Sequence, residues 1–200
     1  MLASRLEGSR PRGRQNMGMA SFRELYVLRH AKSSWDDPAQ RDHERPLAPR
    51  GKRAVKVLAE YIERSAIRPE LVLVSSSRRT RETLEGIRPS GETQIEPALY
   101  TATVGELIER LRQLPPDVGS AMVIGHNPAM QMLVLRLAGT VAPTDEDSDL
   151  ATVQRKFPTG ALATLTFECA WSELSPGSAR LTALVRPKHL NLTPRTFTPG

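Results

Sequence analysis

Leu25-Tyr26-Val27-Leu28-Arg29-His30-Ala31-Lys32-Ser33-Ser34 decides the reading of this chain. Tyr26, Val27 and Leu28 favour a pleated, buried backbone, so the stretch predicts a short strand. The strand runs into a polar turn and stops on an Arg-His pair. In an open α/β sheet, residues just past the carboxyl end of a strand face the ligand crevice. Arginine offers a rigid fork of donors matched to phosphate oxygens. Histidine titrates near neutral pH and serves as a nucleophile. An Arg-His pair in that position points to phosphoryl chemistry.

Two further runs repeat the pattern. Leu71-Val72-Leu73-Val74 and Ala121-Met122-Val123-Ile124 are continuous apolar runs of strand length, suited to parallel strands covered on both faces. The first exits into Ser75-Ser76-Ser77-Arg78-Arg79, where hydroxyls are placed to cap a helix and its first amides to hold an anion. The second exits into Gly125-His126-Asn127-Pro128, read as a turn with Asn127 as N-cap and Pro128 as first helical residue. Between the strands, apolar stripes at i, i+3, i+4 and i+7 predict helices: Val55, Leu58, Ala59 and Ile62 after Pro49, then Val104, Leu107, Ile108 and Leu111 after a Thr103–Glu106 capping box. Met130, Leu133, Val134 and Leu137 form another core face, stopped by Gly139. A short strand is expected at Gln94-Ile95. Alternation over 161–167 and 181–185 predicts a C-terminal hairpin.

The fold class is therefore α/β: three layers, α/β/α, with a mostly parallel central sheet and a C-terminal hairpin. Residues 22–186 form the domain, residues 1–21 a disordered basic tail and residues 187–200 a second tail. Met17 and Met19 are alternative starts, with the residues before them dispensable. The net charge is +6 over 200 residues, and half of the excess lies in the first 21, so nucleic acid is a poor candidate partner. Aromatic residues make up 4%, which leaves few stacking platforms for single strands. The longest apolar runs are too short to span a membrane. The single Cys169 excludes an intrachain disulfide and suits a reducing, cytoplasmic setting. No His or Cys cluster has zinc spacing. The acidic stretch Asp145, Glu146, Asp147 and Asp149 reads as a solvated face.

In a parallel sheet the three strand ends share one edge, so Arg29, His30, Arg79 and His126 converge there. These motifs resemble those of the histidine phosphatase superfamily. Leu28-Arg29-His30-Ala31 is similar to its Arg-His-Gly motif, Ser75-x-x-x-Arg79-x-x-x-Thr83 to its second-arginine motif, and Gly125-His126-Asn127-Pro128 to its second-histidine motif. Asp42-x-x-Arg45-Pro46-Leu47 with Arg50-Gly51 resembles the SixA-type phosphohistidine phosphatase branch. The resemblance spans roughly residues 24–186. It implies a phosphoglycerate-mutase-like fold, no metal or other cofactor, and His30 as a nucleophile carrying a phosphohistidine intermediate. Arg29, Arg79 and His126 would bind and stabilise the transferred group, with Arg45 and Asn127 as further phosphate contacts.

Of two departures, only the second bears on substrate. Ala31 stands where the wider family has Gly. The place of the acid that protonates an ester leaving group reads Pro97-Ala98-Leu99-Tyr100-Thr101. An alkoxide leaves poorly without such an acid, whereas the P–N bond of phosphohistidine is weaker. The expected substrate is therefore a phosphohistidine-containing protein. A small phosphorylated metabolite is the alternative, with Asp36, Asp37 or Asp42 supplying a proton. A phosphate-binding module without turnover is the third reading.

Overall fold

The computed structural model describes residues 22–139 and 148–190. The basic N-terminal tail with its alternative starts, the acidic Asp145, Glu146 and Asp147, and residues 191–200 lie outside them. Six strands form one sheet: β1 (Arg23–Arg29), β2 (Leu71–Ser75), β3 (Glu92–Glu96), β4 (Ser120–Gly125), β5 (Leu162–Phe167) and β6 (Arg180–Val185), in the order β3-β2-β4-β1-β5-β6. β3, β2, β4 and β1 are parallel neighbours. β5 runs antiparallel to both β1 and β6.

The register places the functional edge. Arg29 lies beside Gly125 and Val74 beside Ile124, so the chain leaves β1, β2 and β4 at one level. Crossover connections bring each parallel strand back to the same end, which is why the motifs converge.

Side chains alternate between the two faces with period two. Tyr26, Leu28, Val72, Val74, Met122 and Ile124 face α1 (Pro49–Arg64) and α2 (Arg78–Ile87), where Val55, Leu58, Ile62 and Ile87 meet them. Leu25, Val27, Leu71, Leu73, Ala121 and Val123 face α3 (Val104–Arg112), α4 (Ala129–Ala138) and α5 (Asp149–Arg155), with Leu107, Leu111, Leu133, Leu137 and Val153. β2 and β4 are buried along their whole length, as their unbroken apolar runs require. Each such Val, Leu or Ile contributes roughly 1.5–3 kcal/mol of burial free energy.

Four local expectations change. Asn127 is not a cap: α4 starts at Ala129, and the Asn127 side chain bonds elsewhere. Ser77 occupies the N-cap of α2 but accepts no helix amide; its hydroxyl pairs with Thr80 Oγ1 instead. Asp149 is not merely solvated. It opens α5, which Ser148 caps, and its carboxylate accepts the Leu184 amide at 3.0 Å. Periodicity could not show α5, because seven residues hold barely two turns. The β5–β6 connection is no tight hairpin but carries a 3-10 turn at Trp171–Glu173. Thr103 and Glu106 do form the capping box that starts α3. Pro187–His189 makes a further 3-10 turn packed against α1.

Candidate active site

β1 delivers Arg29 and His30 to the sheet edge, and the backbone locks them there. His30 N–H donates to Gly125 O at 3.0 Å, and Gly160 N–H reaches the carbonyls of Arg29 and His30 at 3.0 and 3.1 Å. Ala31 N–H donates to Thr83 Oγ1 at 3.1 Å, and Thr83 Oγ1 donates to Arg79 O at 2.6 Å. Thr83 lies one helical turn after Arg79, so a single hydroxyl ties the helix carrying Arg79 to the loop carrying His30. The i, i+4, i+8 spacing of Ser75, Arg79 and Thr83 thus has a mechanical reason.

His30 is 7% exposed. Its Nδ1 sits 2.7 Å from Ala31 O. A carbonyl only accepts, so Nδ1 carries the proton and Nε2 keeps its lone pair. Burial, against the pull of that bond, lowers the imidazole to about 4, and the Arg79 and Arg29 charges add to it. His30 is therefore neutral at pH 7 and presents a nucleophilic nitrogen. The His126 ring lies 5.1 Å away, centroid to centroid.

His126 bonds Ser75 Oγ through Nε2 at 2.8 Å, while Nδ1 lies 3.4 Å from Arg79 Nη2. A guanidinium cannot accept, so Nε2 holds the proton and Nδ1 the lone pair. Burial, then His30 and Arg79, lowers His126 to about 3. In the free protein it is neutral rather than a cationic donor.

Arg79 is also 7% exposed and is held by Asp42: Nη1 donates to Asp42 O at 2.6 Å and Nη2 to Asp42 Oδ2 at 2.9 Å. Tyr100 O–H donates to the same carboxylate oxygen at 2.6 Å. The Tyr100 bond, with Arg79 beside it, outweighs burial and holds Asp42 below the usual carboxylate range. Asp42 is thus an ionised clamp on Arg79, unlike the proton donor that an ester substrate needs. Arg78 points away and pairs with Glu82. Arg29 donates from Nη1 to Phe157 O at 2.8 Å, and Asn127 Nδ2 reaches the same carbonyl at 3.0 Å. Asn127 therefore braces Arg29's support. Arg45 lies over the exposed Trp35 ring at 4.1 Å, with Nε 3.8 Å from Asp42 Oδ1. The buried Nε of Arg29 has no hydrogen-bond acceptor among the described residues.

The sequence reading missed Tyr100. Its ring stands edge-on to His126 at 5.4 Å and to His43 at 4.8 Å, besides bonding Asp42. Nothing in local periodicity marks it. The 3-10 turn Pro97–Tyr100 swings it over the β2 edge. Among the described residues no cluster of acidic, His or Cys side chains could hold a metal ion.

A sheet edge with two neutral histidines and converging arginines is equipped for phosphoryl transfer. The model of the histidine phosphatase superfamily (branch 1) matches residues 25–110. The uncharacterized Mycobacterium tuberculosis protein Rv1276c is 32% identical over 161 residues, covering 80% of this chain and 100% of that protein. The Escherichia coli phosphohistidine phosphatase SixA is 28% identical over 137 residues, 65% of this chain and 84% of SixA. A Nakamurella multipartitia structure assigned as phosphohistidine phosphatase SixA superposes with a TM-score of 0.73 at 28% identity, covering 83% of this chain and 96% of the other. The chain belongs to the histidine phosphatase superfamily, in its SixA-like branch, and is a phosphatase.

Proposed function

We propose that residues 22–186 form one cytoplasmic phosphatase domain that removes the phosphoryl group from phosphohistidine in a protein, through a covalent intermediate on His30. The observation that supports this most is the state of Asp42. It is the carboxylate nearest the arginines, and Arg79 and Tyr100 hold it ionised. A site whose carboxylate is committed as a base suits a leaving group that departs without a strong acid. Imidazole is such a group, and its transfer to His30 exchanges one P–N bond for another.

In the first step His30 Nε2 attacks phosphorus, a new P–N bond forms and the substrate P–N bond breaks. The departing imidazole takes a proton from solvent. Arg29, Arg79 and Arg45 meet the equatorial oxygens, where charge spreads in the transition state. The phosphoryl group arrives with one proton, passes it to His126 and accepts a hydrogen bond back from it. Water attacks the phosphohistidine of the enzyme, releases phosphate and restores neutral His30. Asn127 acts through the Phe157 carbonyl that it shares with Arg29.

The test is phosphate release from a phosphohistidine protein and from an alkyl phosphate ester, side by side, with His30→Ala as control. Faster release from phosphohistidine, abolished by the substitution, is expected. Preference for the ester refutes the substrate reading.

A further inference from the structure

Beside the reacting groups runs a cationic groove that the chemistry does not use. Two adjoining hollows of about 260 and 300 Å³ share Arg50, Pro158, Arg186 and Lys188, so they form one depression. Its seven cations come from four segments: Lys32 just past His30, Arg50 and Arg53 at the start of α1, Arg155 and Lys156 before β5, and Arg186 and Lys188 after β6.

The topology puts all four at the catalytic edge. β5 begins beside the end of β1, and β6 ends beside the start of β5. The wall and the reacting site share backbone, since Gly160 N–H bonds the carbonyls of Arg29 and His30. No acidic residue lines either hollow. Lys32, Arg50, Arg53, Lys156, Arg186 and Lys188 form no ion pair among the described residues. Uncompensated like charge is costly unless something anionic meets it.

The construction indicates what that is. Six of the seven cations are exposed, unlike buried Arg79, so they are not built to grip one small phosphate. They surround an apolar floor of Ala54, Val57, Pro158 and Pro187. A protein face uses both features, with cations meeting carboxylates at the rim and apolar atoms meeting at the centre. A nucleic acid would leave that floor idle, and the groove offers no aromatic ring for a base. A second copy of this chain carries +6 itself and is repelled.

We propose that this groove docks an acidic face of the very protein whose phosphohistidine enters the site. The proposal rests on the phosphohistidine reading and adds to it: the edge groups recognise the phosphoryl group and the groove selects its carrier.

The test uses the full chain with Arg53→Glu/Lys188→Glu, two exposed positions on opposite walls, and Arg53→Gln/Lys188→Gln as a milder pair. The substrates are an acidic carrier protein phosphorylated on histidine by phosphoramidate, and free phosphohistidine. For the carrier at about 50 mM salt, kcat/KM should fall about tenfold or more, through KM. For free phosphohistidine it should stay within about twofold, because the groove steers the carrier rather than the reaction. Raising salt should weaken the wild type more than the variants. Equal losses on both substrates, or no loss on the carrier, overturn the proposal. So does a short DNA duplex that competes for the groove more strongly than the carrier. If no phosphohistidine is hydrolysed, the functional reading fails by itself. Docking is then judged by binding of unphosphorylated carrier to His30→Ala protein, and binding that is absent or indifferent to the groove substitutions overturns it.

Discussion

Gly51 stands in the first turn of α1, where that helix meets the loop leaving His30. A Cβ built there would lie 2.2 Å from Lys32 O, whereas real Cβ contacts essentially never fall below 3.0 Å. Gly51→Ala therefore demands a shift of about 0.8 Å. Lys32 O cannot yield freely, because it accepts the Ala48 amide at 2.8 Å at the start of the same helix. Two effects oppose one another. Alanine is favoured over glycine inside a helix by about 1 kcal/mol. Overpacking against backbone costs about 1–3 kcal/mol. The contact is with backbone on both sides, which puts the clash at the upper end of that range, so Gly51→Ala should be less stable by up to about 2 kcal/mol. The displaced residue is two positions from His30, so kcat should fall as well, by up to ~10²-fold for a shift approaching 1 Å. Urea unfolding gives the first quantity and steady-state phosphate release the second. A variant more stable than the wild type, with unchanged kcat, would refute the close-packing argument and leave helix propensity as the ruling effect.

The remaining predictions concern the reacting groups. Because burial lowers His30 to about 4 and His126 to about 3, kcat/KM should show no acid limb near 6.5 and should hold down to about pH 4, provided the fold persists. A limb at 6.5 would mean that the histidines are more hydrated than described. Both imidazoles take protons more weakly folded than unfolded, so their contribution to stability is full above about 6.5 and drains as pH falls towards 4 and below; denaturant midpoints across that range test the sign. His30→Ala should remove at least ~10³ of activity and all covalent labelling from a phosphohistidine donor. Retained labelling would move the nucleophile elsewhere. Asp42→Asn should cost about tenfold in kcat/KM by loosening Arg79, equally for good and poor leaving groups; a loss confined to poor leaving groups would make Asp42 an acid. Tyr100→Phe should give a smaller loss of the same kind and raise the pKa of Asp42, read by NMR titration.

The layered α/β fold and the convergence of Arg29, His30, Arg79 and His126 on one sheet edge were legible along the chain. Apolar runs at β1, β2 and β4 and stripes on α1, α3 and α4 are one-dimensional patterns, and strand polarity in βαβ units sends their polar exits to one edge. The Thr103–Glu106 box was legible because both partners lie within one helical turn. What those side chains do to one another depends on the folded arrangement. Asp42 reads in sequence as one of three candidate proton sources for an ester, with Asp36 and Asp37, yet it becomes a clamp because Arg79, 37 positions on, and Tyr100, 58 positions on, reach its carboxylate. Asn127 reads as a helix cap, yet its amide reaches Phe157, 30 positions away. Which nitrogen of His30 stays free follows from the turn of its own backbone at Ala31, and how far each histidine is neutralised follows from burial. The groove shows the same limit, since its cations come from segments as distant as Lys32 and Lys188. Hydrogen bonding, desolvation and charge act over a few ångströms of space whatever the separation along the chain, and only the folded arrangement sets those distances.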